Sequence, residues 1–242
     1  MTEPNLSIVI PAYNEAGRIG STLTATRAYL DARVLVAEVL VVDDGSRDHT
    51  TQVVEEHMRR DARVRLIRLG RNQGKGAAVR RGMLDSHGAR VLFMDADLAT
   101  PLAELEKLER ALDDGADVAI GSRAMRGSNI TVHQHFFRET MGKTFNLMVR
   151  ALAVRGIHDT QCGFKLFTRN AADALFGEAS VDRFAFDVEV LMLAEGRFNV
   201  REVPIEWHHV EESKVSPVRD STRTAIDLLR MRARLVMRRR RG

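Results

Sequence analysis

Glu38-Val-Leu-Val-Val-Asp43-Asp44-Gly45-Ser46 is a short apolar run that ends in two aspartates, a glycine and a serine. An apolar run of this length, bounded by turn residues, is typical of a strand inside a parallel sheet. Ligands of such sheets bind at the carboxyl ends of the strands. The stretch therefore predicts a buried strand that carries two carboxylates to a binding edge, where they suit hydrogen bonds to a base and a ribose. The alternative for Asp43–Ser46 alone is a turn that caps the next helix.

The same pattern recurs on both sides of this strand. Similar apolar runs cover Leu6–Pro11, Val64–Leu69, Arg90–Asp95 and Asp117–Gly121. Helical patterns separate the runs, at about 15–31, 48–60, 74–87 and 101–114. Strands that alternate with helices predict an α/β fold, in which a mostly parallel sheet is flanked by helices and the connections are right-handed.

The second half of the chain is less regular. We predict a strand over 163–168 and another over 200–207, with helices over about 138–154, over 187–194 and from Ser221 onwards. Seven of the twelve residues from Arg230 to Arg241 are arginine. We therefore divide the chain into one main α/β domain, residues 1–220, and a basic amphipathic C-terminal helix or tail, residues 221–242.

Composition limits the class of protein. Of the 242 residues, 44% are hydrophobic and 29% are charged, which is a soluble globular balance. No stretch approaches the roughly 18 apolar residues that span a bilayer. The N-terminus has no basic region, so we expect no signal peptide. The single cysteine, Cys162, permits no intramolecular disulfide, which fits a reducing cytosol, and we interpret it as a packing residue.

A second acidic pattern, Asp95-Ala-Asp97, follows the fourth apolar run. Two acids separated by one residue point the same way on an extended backbone. Hard divalent cations prefer oxygen ligands and are often held by one or two carboxylates together with substrate phosphates. An Asp-x-Asp pattern occurs by chance on many surfaces, but its position at a predicted strand tip, near Asp43 and Asp44, favours a Mg²⁺ or Mn²⁺ site.

The sequence lacks the residue spacing that other common nucleotide and metal sites require. Residues 70–76 resemble a P-loop, but the spacing is one residue short and glycine replaces the Ser/Thr that would bind magnesium. No Gly-x-Gly-x-x-Gly follows the first strand. The histidine pairs 133/135 and 208/209 lack a third ligand, which argues against zinc. Residues 72–76 remain a candidate basic loop near the nucleotide.

Taken together, the motifs resemble inverting family 2 glycosyltransferases. The segments that match in order and spacing are Ile10-Pro-Ala-Tyr-Asn-Glu15, Val42-Asp-Asp-Gly-Ser46, Asn72-Gln-Gly-Lys-Gly76 and Asp95-Ala-Asp97. Within the family, Asp159-Thr-Gln-Cys-Gly-Phe-Lys165 and Phe186-Asp-Val-Glu189 resemble the dolichyl-phosphate (polyprenyl-phosphate) glucose synthase branch. The resemblance covers roughly residues 5–217. It implies a Rossmann-like, nucleotide-sugar-binding A-type glycosyltransferase fold, with UDP or GDP in the cleft.

The resemblance also implies roles at matching positions. It assigns the donor nucleotide-sugar to Pro11, Tyr13, Glu15, Asp44, Lys75, Asp95 and Ala96. Asp97 would bind Mg²⁺ or Mn²⁺ that bridges the diphosphate. Polyprenyl-phosphate mannose enzymes usually carry glutamine two residues after the metal aspartate, and Ala99 stands there in this chain. The difference argues against GDP-mannose as the donor.

The acceptor site can be predicted from charge. A phosphomonoester has a second pKa of about 6, so at pH 7 it needs cations more than a strong base. The candidates for the acceptor phosphate are Arg123, Arg138, Lys165, His209 and Lys214. We group Arg123 and Arg138 with Asp97 as catalytic residues, and add Asp159 as an alternative base or orienting group. The alternative for either arginine is a solvated surface charge.

The sequence thus predicts metal-dependent, inverting transfer of a hexose, with glucose favoured, from a UDP-sugar to a polyprenyl phosphate. The alternative donors are UDP-N-acetylhexosamine (such as N-acetylgalactosamine) and GDP-mannose, and the alternative acceptors are a polysaccharide and a protein. A nucleic-acid-binding protein would have a basic tail but not the acidic cluster, which repels phosphates without a metal. We therefore expect no nucleic-acid partner.

The tail suggests where the protein works. On a helical wheel, Ile226, Leu229, Ala233 and Val236 share one face, and most of the arginines lie opposite. Basic residues bind anionic leaflets. We expect a cytoplasmic protein, peripheral at the inner face of the cytoplasmic membrane and held by this tail, with or without a membrane protein partner. The alternative is that the apolar face packs on the domain.

Overall fold

The computed structural model describes residues 3–125, 128–130 and 156–208. Its strands are β1 (Leu6–Ala12), β2 (Ala37–Asp43), β3 (Val64–Arg68), β4 (Arg90–Met94), β5 (Val118–Ser122), β6 (Asn129–Ile130), β7 (Phe164–Thr168), β8 (Val200–Pro204) and β9 (Glu206–Trp207). Seven of them form one sheet, in the order β3-β2-β1-β4-β7-β5-β8. The short strands β6 and β9 pair with each other in a second, parallel sheet.

The helices lie between the strands, as the alternating pattern predicts. They are α1 (Ile19–Arg33), α2 (Thr50–Met58), α3 (Lys75–Asp85), α4 (Leu105–Asp113), α5 (Arg169–Glu178) and α6 (Phe186–Ala194). A 3-10 turn, Leu102–Glu104, leads into α4. Helix α3 packs on β1 and β2 and meets α5, whereas α4 packs against β5 and β7. The predicted α/β class, with a mostly parallel sheet flanked by helices, is confirmed.

Burial explains why the apolar runs form the middle of the sheet. All seven residues of β2 are buried, and so are the four apolar residues Val91–Met94 of β4. Strands covered on both faces need apolar side chains on both faces, so the runs are continuous rather than alternating. The polar residues that follow these runs are thereby placed at the carboxyl edge of the sheet.

Strand β7 departs from the parallel pattern. It lies between β4 and β5 and is antiparallel to both, whereas β8 is parallel to β5. Its buried residues Phe164–Phe167 are apolar apart from Lys165, and this pattern is the same whatever the direction of the strand. The sequence therefore predicts the strand but not its orientation or its neighbours.

Three elements differ from the sequence prediction. Helix α1 begins at Ile19 rather than near residue 15, because residues 13–18 form a loop in which Asn14 adopts a positive φ of 54°. Helix α5 was not predicted, and it begins after Thr168, whose side chain accepts a hydrogen bond from the Ala171 amide. The predicted strand over 200–207 is divided into β8 and β9.

Some predictions fall outside the described part of the chain. These are the helix over about 138–154, the C-terminal helix from Ser221, and with it the boundary between residues 220 and 221. Across the described ranges, no helix combines the length and the apolar character needed to span a membrane.

Candidate active site

The ends of β1, β2 and β4 bring the predicted donor residues to one edge of the sheet. Ala12 and Asp43 are paired in the β1–β2 register, and the Asp44 amide donates to the Ala12 carbonyl at 2.8 Å. Strand β4 adjoins β1 on its other side and ends just before Asp95. The Asp95 amide in turn donates to the Gly163 carbonyl at 3.0 Å, which joins this edge to the start of β7.

Hydrogen bonds connect the loops that follow β1 and β2. The Asn14 amide donates to the Ser46 hydroxyl at 2.9 Å, and the Asn14 side-chain oxygen accepts from the Arg47 amide at 2.8 Å. The Glu15 amide donates to the Thr50 hydroxyl at 2.8 Å. These bonds fix the backbone next to Tyr13, which is half-buried. The predicted base and ribose contacts therefore lie close together along the chain, Pro11 near the end of β1 and Tyr13 and Glu15 in the loop that these bonds fix.

Asp44 holds the basic loop that the sequence places near the nucleotide. Its two carboxylate oxygens accept from the amides of Gln73, at 2.7 Å, and Gly74, at 2.9 Å. Burial raises the pKa of Asp44, although these two bonds oppose the rise. Asp44 thus joins the carboxyl end of β2 to the start of α3, which carries Lys75.

Lys75 and Asp95 form an ion pair at this edge, with 2.6 Å between Nζ and Oδ1. Burial lowers the pKa of Lys75, but the carboxylates of Asp95, Asp187 and Asp97 outweigh burial and leave it above the usual value. A Cβ at position 163 would lie 1.9 Å from Oδ2 of Asp95, so any larger residue there would displace the Asp95 carboxylate. The close approach of the β7 backbone therefore fixes the Asp95 carboxylate.

Asp97 lies two residues further, in a strained turn. Its Oδ1 accepts from the Ala99 amide at 3.1 Å, and Leu98 between them adopts a positive φ of 53°. Ala96 is buried, and its carbonyl accepts from the Thr22 hydroxyl at 2.7 Å. Burial and the nearby Asp95 charge raise the pKa of Asp97, against the opposing effects of the Ala99 amide and two cations.

These features fit a divalent cation at Asp97. Among the described residues, no three His, Cys, Asp or Glu side chains are grouped closely enough to hold a metal by themselves. A site of this type would use one or two carboxylates and the phosphates of its substrate, as hard cations often do. Burial and the nearby Asp95 charge both disfavour the negative charge of Asp97 and raise its pKa, and a bound cation would offset them.

Arg123 and Asp159 form a second charged group, beyond the end of β5. The Arg123 guanidinium donates to both oxygens of Asp159, at 2.7 and 2.9 Å, and its amide donates at 3.0 Å. The Arg123 guanidinium also lies over the Trp207 ring, with 5.6 Å between Cζ and the ring centroid. Asp159 is 2% exposed, and although burial opposes it, Arg123 holds the pKa of this carboxyl below its usual value.

Lys165, which we predicted as a contact of the acceptor phosphate, is buried in an ion pair instead. It is 1% exposed, and Nζ donates to Oδ1 of Asp187 and to the Cys162 carbonyl, both at 2.5 Å. Cys162 is itself buried, and burial raises the pKa of its thiol to about 12, so it is protonated at neutral pH. The other predicted acceptor cations, Arg138, His209 and Lys214, lie outside the described residues.

A family model decides what kind of protein carries this site. The model described as glycosyl transferase family 2 matches residues 7–176, well over half of the chain. The chain belongs to glycosyl transferase family 2. The match runs from β1 into α5, so it contains the donor edge, Arg123, Asp159 and Lys165.

Relatives within the family are similar over most of their length. The human dolichyl-phosphate beta-glucosyltransferase is 39% identical, over 95% of this chain and 75% of the human protein. The Drosophila melanogaster protein of the same name is 42% identical, over 88% and 69%. The Saccharomyces cerevisiae protein, also of that name, is 39% identical, over 94% and 74%. The resemblance to this branch of family 2 is confirmed.

Solved structures of lower identity share the fold. Mannosyl-3-phosphoglycerate synthase from Rubrobacter xylanophilus superposes with a TM-score of 0.71 at 19% identity, over 99% of this chain and 76% of that one. Glucosyl-3-phosphoglycerate synthase from Mycobacterium tuberculosis, in complex with Mn²⁺, UDP and glucosyl-3-phosphoglycerate, gives 0.72 at 18% identity, over 93% and 78%. This family 2 enzyme therefore has the predicted A-type glycosyltransferase fold.

Sequence reasoning missed several residues that shape the site of this family 2 enzyme. Gly163, Asp187 and Glu189 lie in quoted motifs but received no role. Glu189 is buried and accepts from the amides of Ser180, at 2.8 Å, and Val181, at 2.7 Å. The sequence does contain a signal for them. Gly163 directly precedes a strand, and Asp187 and Glu189 are acidic residues in an otherwise apolar helix, so each is unusual for its position.

Proposed function

We propose that this enzyme transfers glucose from UDP-glucose to a polyprenyl phosphate with inversion. The observation that carries the proposal is the similarity, over 95% of the chain, to a human protein named dolichyl-phosphate beta-glucosyltransferase. An oxygen of the acceptor phosphate forms a bond to C1 of glucose, while the bond from C1 to the UDP oxygen breaks and UDP leaves. Because the donor sugar is α-linked, attack from the opposite face gives a β-linked product.

The donor edge supports this chemistry through its charges. Asp97 would hold Mg²⁺ or Mn²⁺, and the cation, when bound, stabilises negative charge on the leaving diphosphate. The Lys75 ammonium lies 2.6 Å from Asp95 at the same edge and can meet a phosphate there. Pro11 at the end of β1, the following loop with Tyr13 and Glu15, and Asp44 would bind the base and ribose. Asp95 and Ala96 would contact the ribose or sugar.

The acceptor phosphate needs to be held beside another polyanion. It is itself largely dianionic at pH 7, so we assign no strong general base to the reaction. Arg123 is our acceptor contact, with Arg138, His209 and Lys214 as further cations from the segments outside the described residues. Asp159 orients Arg123, because its two carboxylate oxygens accept from Nε and Nη2 of the guanidinium.

A donor panel tests the proposed sugar. The enzyme would be given UDP-glucose, UDP-N-acetylglucosamine, UDP-N-acetylgalactosamine and GDP-mannose, each with polyprenyl phosphate and with Mg²⁺ or Mn²⁺. We expect glucose to enter the lipid fraction at least tenfold faster than any other sugar, since one pocket that fits a hydroxyl does not fit an acetamido group. Faster transfer of an N-acetylhexosamine or of mannose would overturn the assignment of glucose.

The C-terminal residues 221–242 are proposed to bring the catalytic domain to the inner face of the cytoplasmic membrane. Basic residues contribute about 1 kcal/mol each near an anionic leaflet, and an apolar helix face adds burial at the interface. We expect liposomes with anionic lipid to float the intact chain at low salt, and to lose it at high salt or when the chain ends near Arg230. If the chain still floats at high salt and after truncation near Arg230, the tail does not bind the membrane.

A further inference from the structure

The starting observation is a buried ion pair that the proposed chemistry does not use. Lys165 is the second residue of β7 and is 1% exposed, and Asp187 is 5% exposed. Their charged atoms are 2.5 Å apart. Burying two charges costs so much solvation that apolar residues of similar volume are often as stable or more stable. Stability alone is therefore a weak reason for this pair.

The pair adjoins the donor edge through one aromatic ring. Phe93 is paired with Lys165 in the β4–β7 register, and Nζ of Lys165 lies 5.8 Å from the Phe93 ring centroid. Nζ of Lys75 lies 5.4 Å from the same centroid. Phe186, which precedes Asp187, packs edge-on against this ring at 5.6 Å. Two ammonium groups thus share one ring, and each has its own carboxylate.

The four charges form one electrostatic network. Burial raises the pKa of Asp187, and the charges of Lys165 and then Lys75 oppose that rise. Asp187 also contributes, after Asp95, to the raised pKa of Lys75. Lys75 is therefore attracted by two carboxylates, one at the donor edge and one in the interior, and Lys165 neutralises the interior one.

The backbone of Lys75 is fixed separately from this network. Its neighbours Gly74 and Gly76 lie against the carbonyls of Asp182 and Val181, so closely that a Cβ at either glycine would come within 2.3 Å. The Ala77 amide donates to the Asp182 carbonyl at 3.0 Å. Changes in the buried pair should consequently act on the Lys75 side chain rather than on the start of α3.

We propose that the Lys165–Asp187 pair positions Lys75, holding its ammonium beside Asp95 where the donor diphosphate binds. Lys165 satisfies Asp187, so Lys75 remains at the edge instead of turning inward. Asp187 in return adds negative charge on the interior side of the shared Phe93 ring, which attracts the Lys75 ammonium to that ring. Lys165 and Asp187 are positioning residues, and their role rests on the proposed function of Lys75 as a contact of the UDP diphosphate.

The test separates positioning from folding. Lys165→Met alone leaves a buried carboxylate unpaired and should reduce stability, whereas Lys165→Met/Asp187→Leu should restore the urea midpoint. We expect this stable double variant to bind UDP, in the presence of Mn²⁺, about tenfold more weakly than the wild-type enzyme does, because the pair no longer positions Lys75. The KM for UDP-glucose should rise in the same proportion, with a smaller change in kcat. If the double variant fails to fold, the isosteric variant Asp187→Asn is measured in its place, and we expect it to show the same tenfold loss of UDP affinity.

Two comparisons make the result decisive. In a Lys75→Met background, the same double replacement should change UDP affinity less than twofold, because its effect passes through Lys75. The matched control is Arg33→Met/Glu109→Leu, which removes the 2.7 Å ion pair between α1 and α4 and should leave UDP affinity unchanged. A folded Lys165→Met/Asp187→Leu enzyme with wild-type UDP affinity would overturn the positioning role alone. A wild-type enzyme that binds no UDP would overturn the proposed donor, and this role with it.

Discussion

Asp97→Asn is expected to lower kcat by about 1,000-fold while leaving the fold intact, since loss of metal stabilisation at the leaving group is worth several kcal/mol. The amide keeps the shape of the side chain and can still accept from the Ala99 amide. The replacement removes the negative charge of the Asp97 carboxylate, a group whose pKa is raised by burial and by Asp95. UDP affinity should at the same time lose most of its dependence on Mg²⁺ or Mn²⁺, which titration with and without EDTA measures.

A suitable control is Asp113→Asn. Asp113 pairs with Arg90 at the amino end of β4, the opposite end of the strand that leads to Asp97, and it is exposed. This variant should keep wild-type turnover and wild-type metal dependence. If Asp97→Asn instead turned over at near-normal rates with either cation, Asp97 would not be the metal ligand.

Arg123→Gln is expected to raise the acceptor KM, or to lower kcat, by about 100-fold, which is the upper range for one charge-assisted contact. Affinity for UDP should barely change, because Arg123 lies beyond β5 and not among the donor loops. Initial rates at varied polyprenyl phosphate, together with UDP titration, distinguish the two sites.

This replacement also leaves Asp159 buried without its partner, which can cost about 3–5 kcal/mol of stability. The double variant Arg123→Gln/Asp159→Asn removes both charges and should recover the unfolding midpoint but not the activity. Recovery of activity with stability would mean that Arg123 only neutralises Asp159. Equal losses of UDP affinity would move Arg123 to the donor site.

The donor half of the fold could be predicted from the sequence because its signals are local. The apolar run before Asp95 must be buried on both faces, and parallel strands align their carboxyl ends, so Asp44 and Asp95 meet at one edge without knowledge of any distant contact. The bond from Asp44 to the Gln73 and Gly74 amides was not predictable, because it depends on how a loop 29 residues away folds back.

Residues whose surroundings are set by distant segments were harder to predict. Lys165 reads as an available cation, but β7 inserts between β4 and β5 and buries it against Asp187, 22 residues further on. Arg123 was predicted as a cation for the acceptor phosphate, and Asp159 as an alternative base or orienting group. In the structure the two form an ion pair. Spacing along the chain carries no information about such pairings.

The central claim is tested most directly by the structure of the lipid product. Wild-type enzyme would be incubated with UDP-glucose, polyprenyl phosphate and Mg²⁺ or Mn²⁺, and the lipid fraction analysed by mass spectrometry and by NMR of the anomeric centre. We expect a polyprenyl phosphate that carries one β-linked glucose, with stoichiometric release of UDP and no product in EDTA. An α-linked product, or glucose found only on a polysaccharide or protein while the lipid stays unmodified, would contradict it.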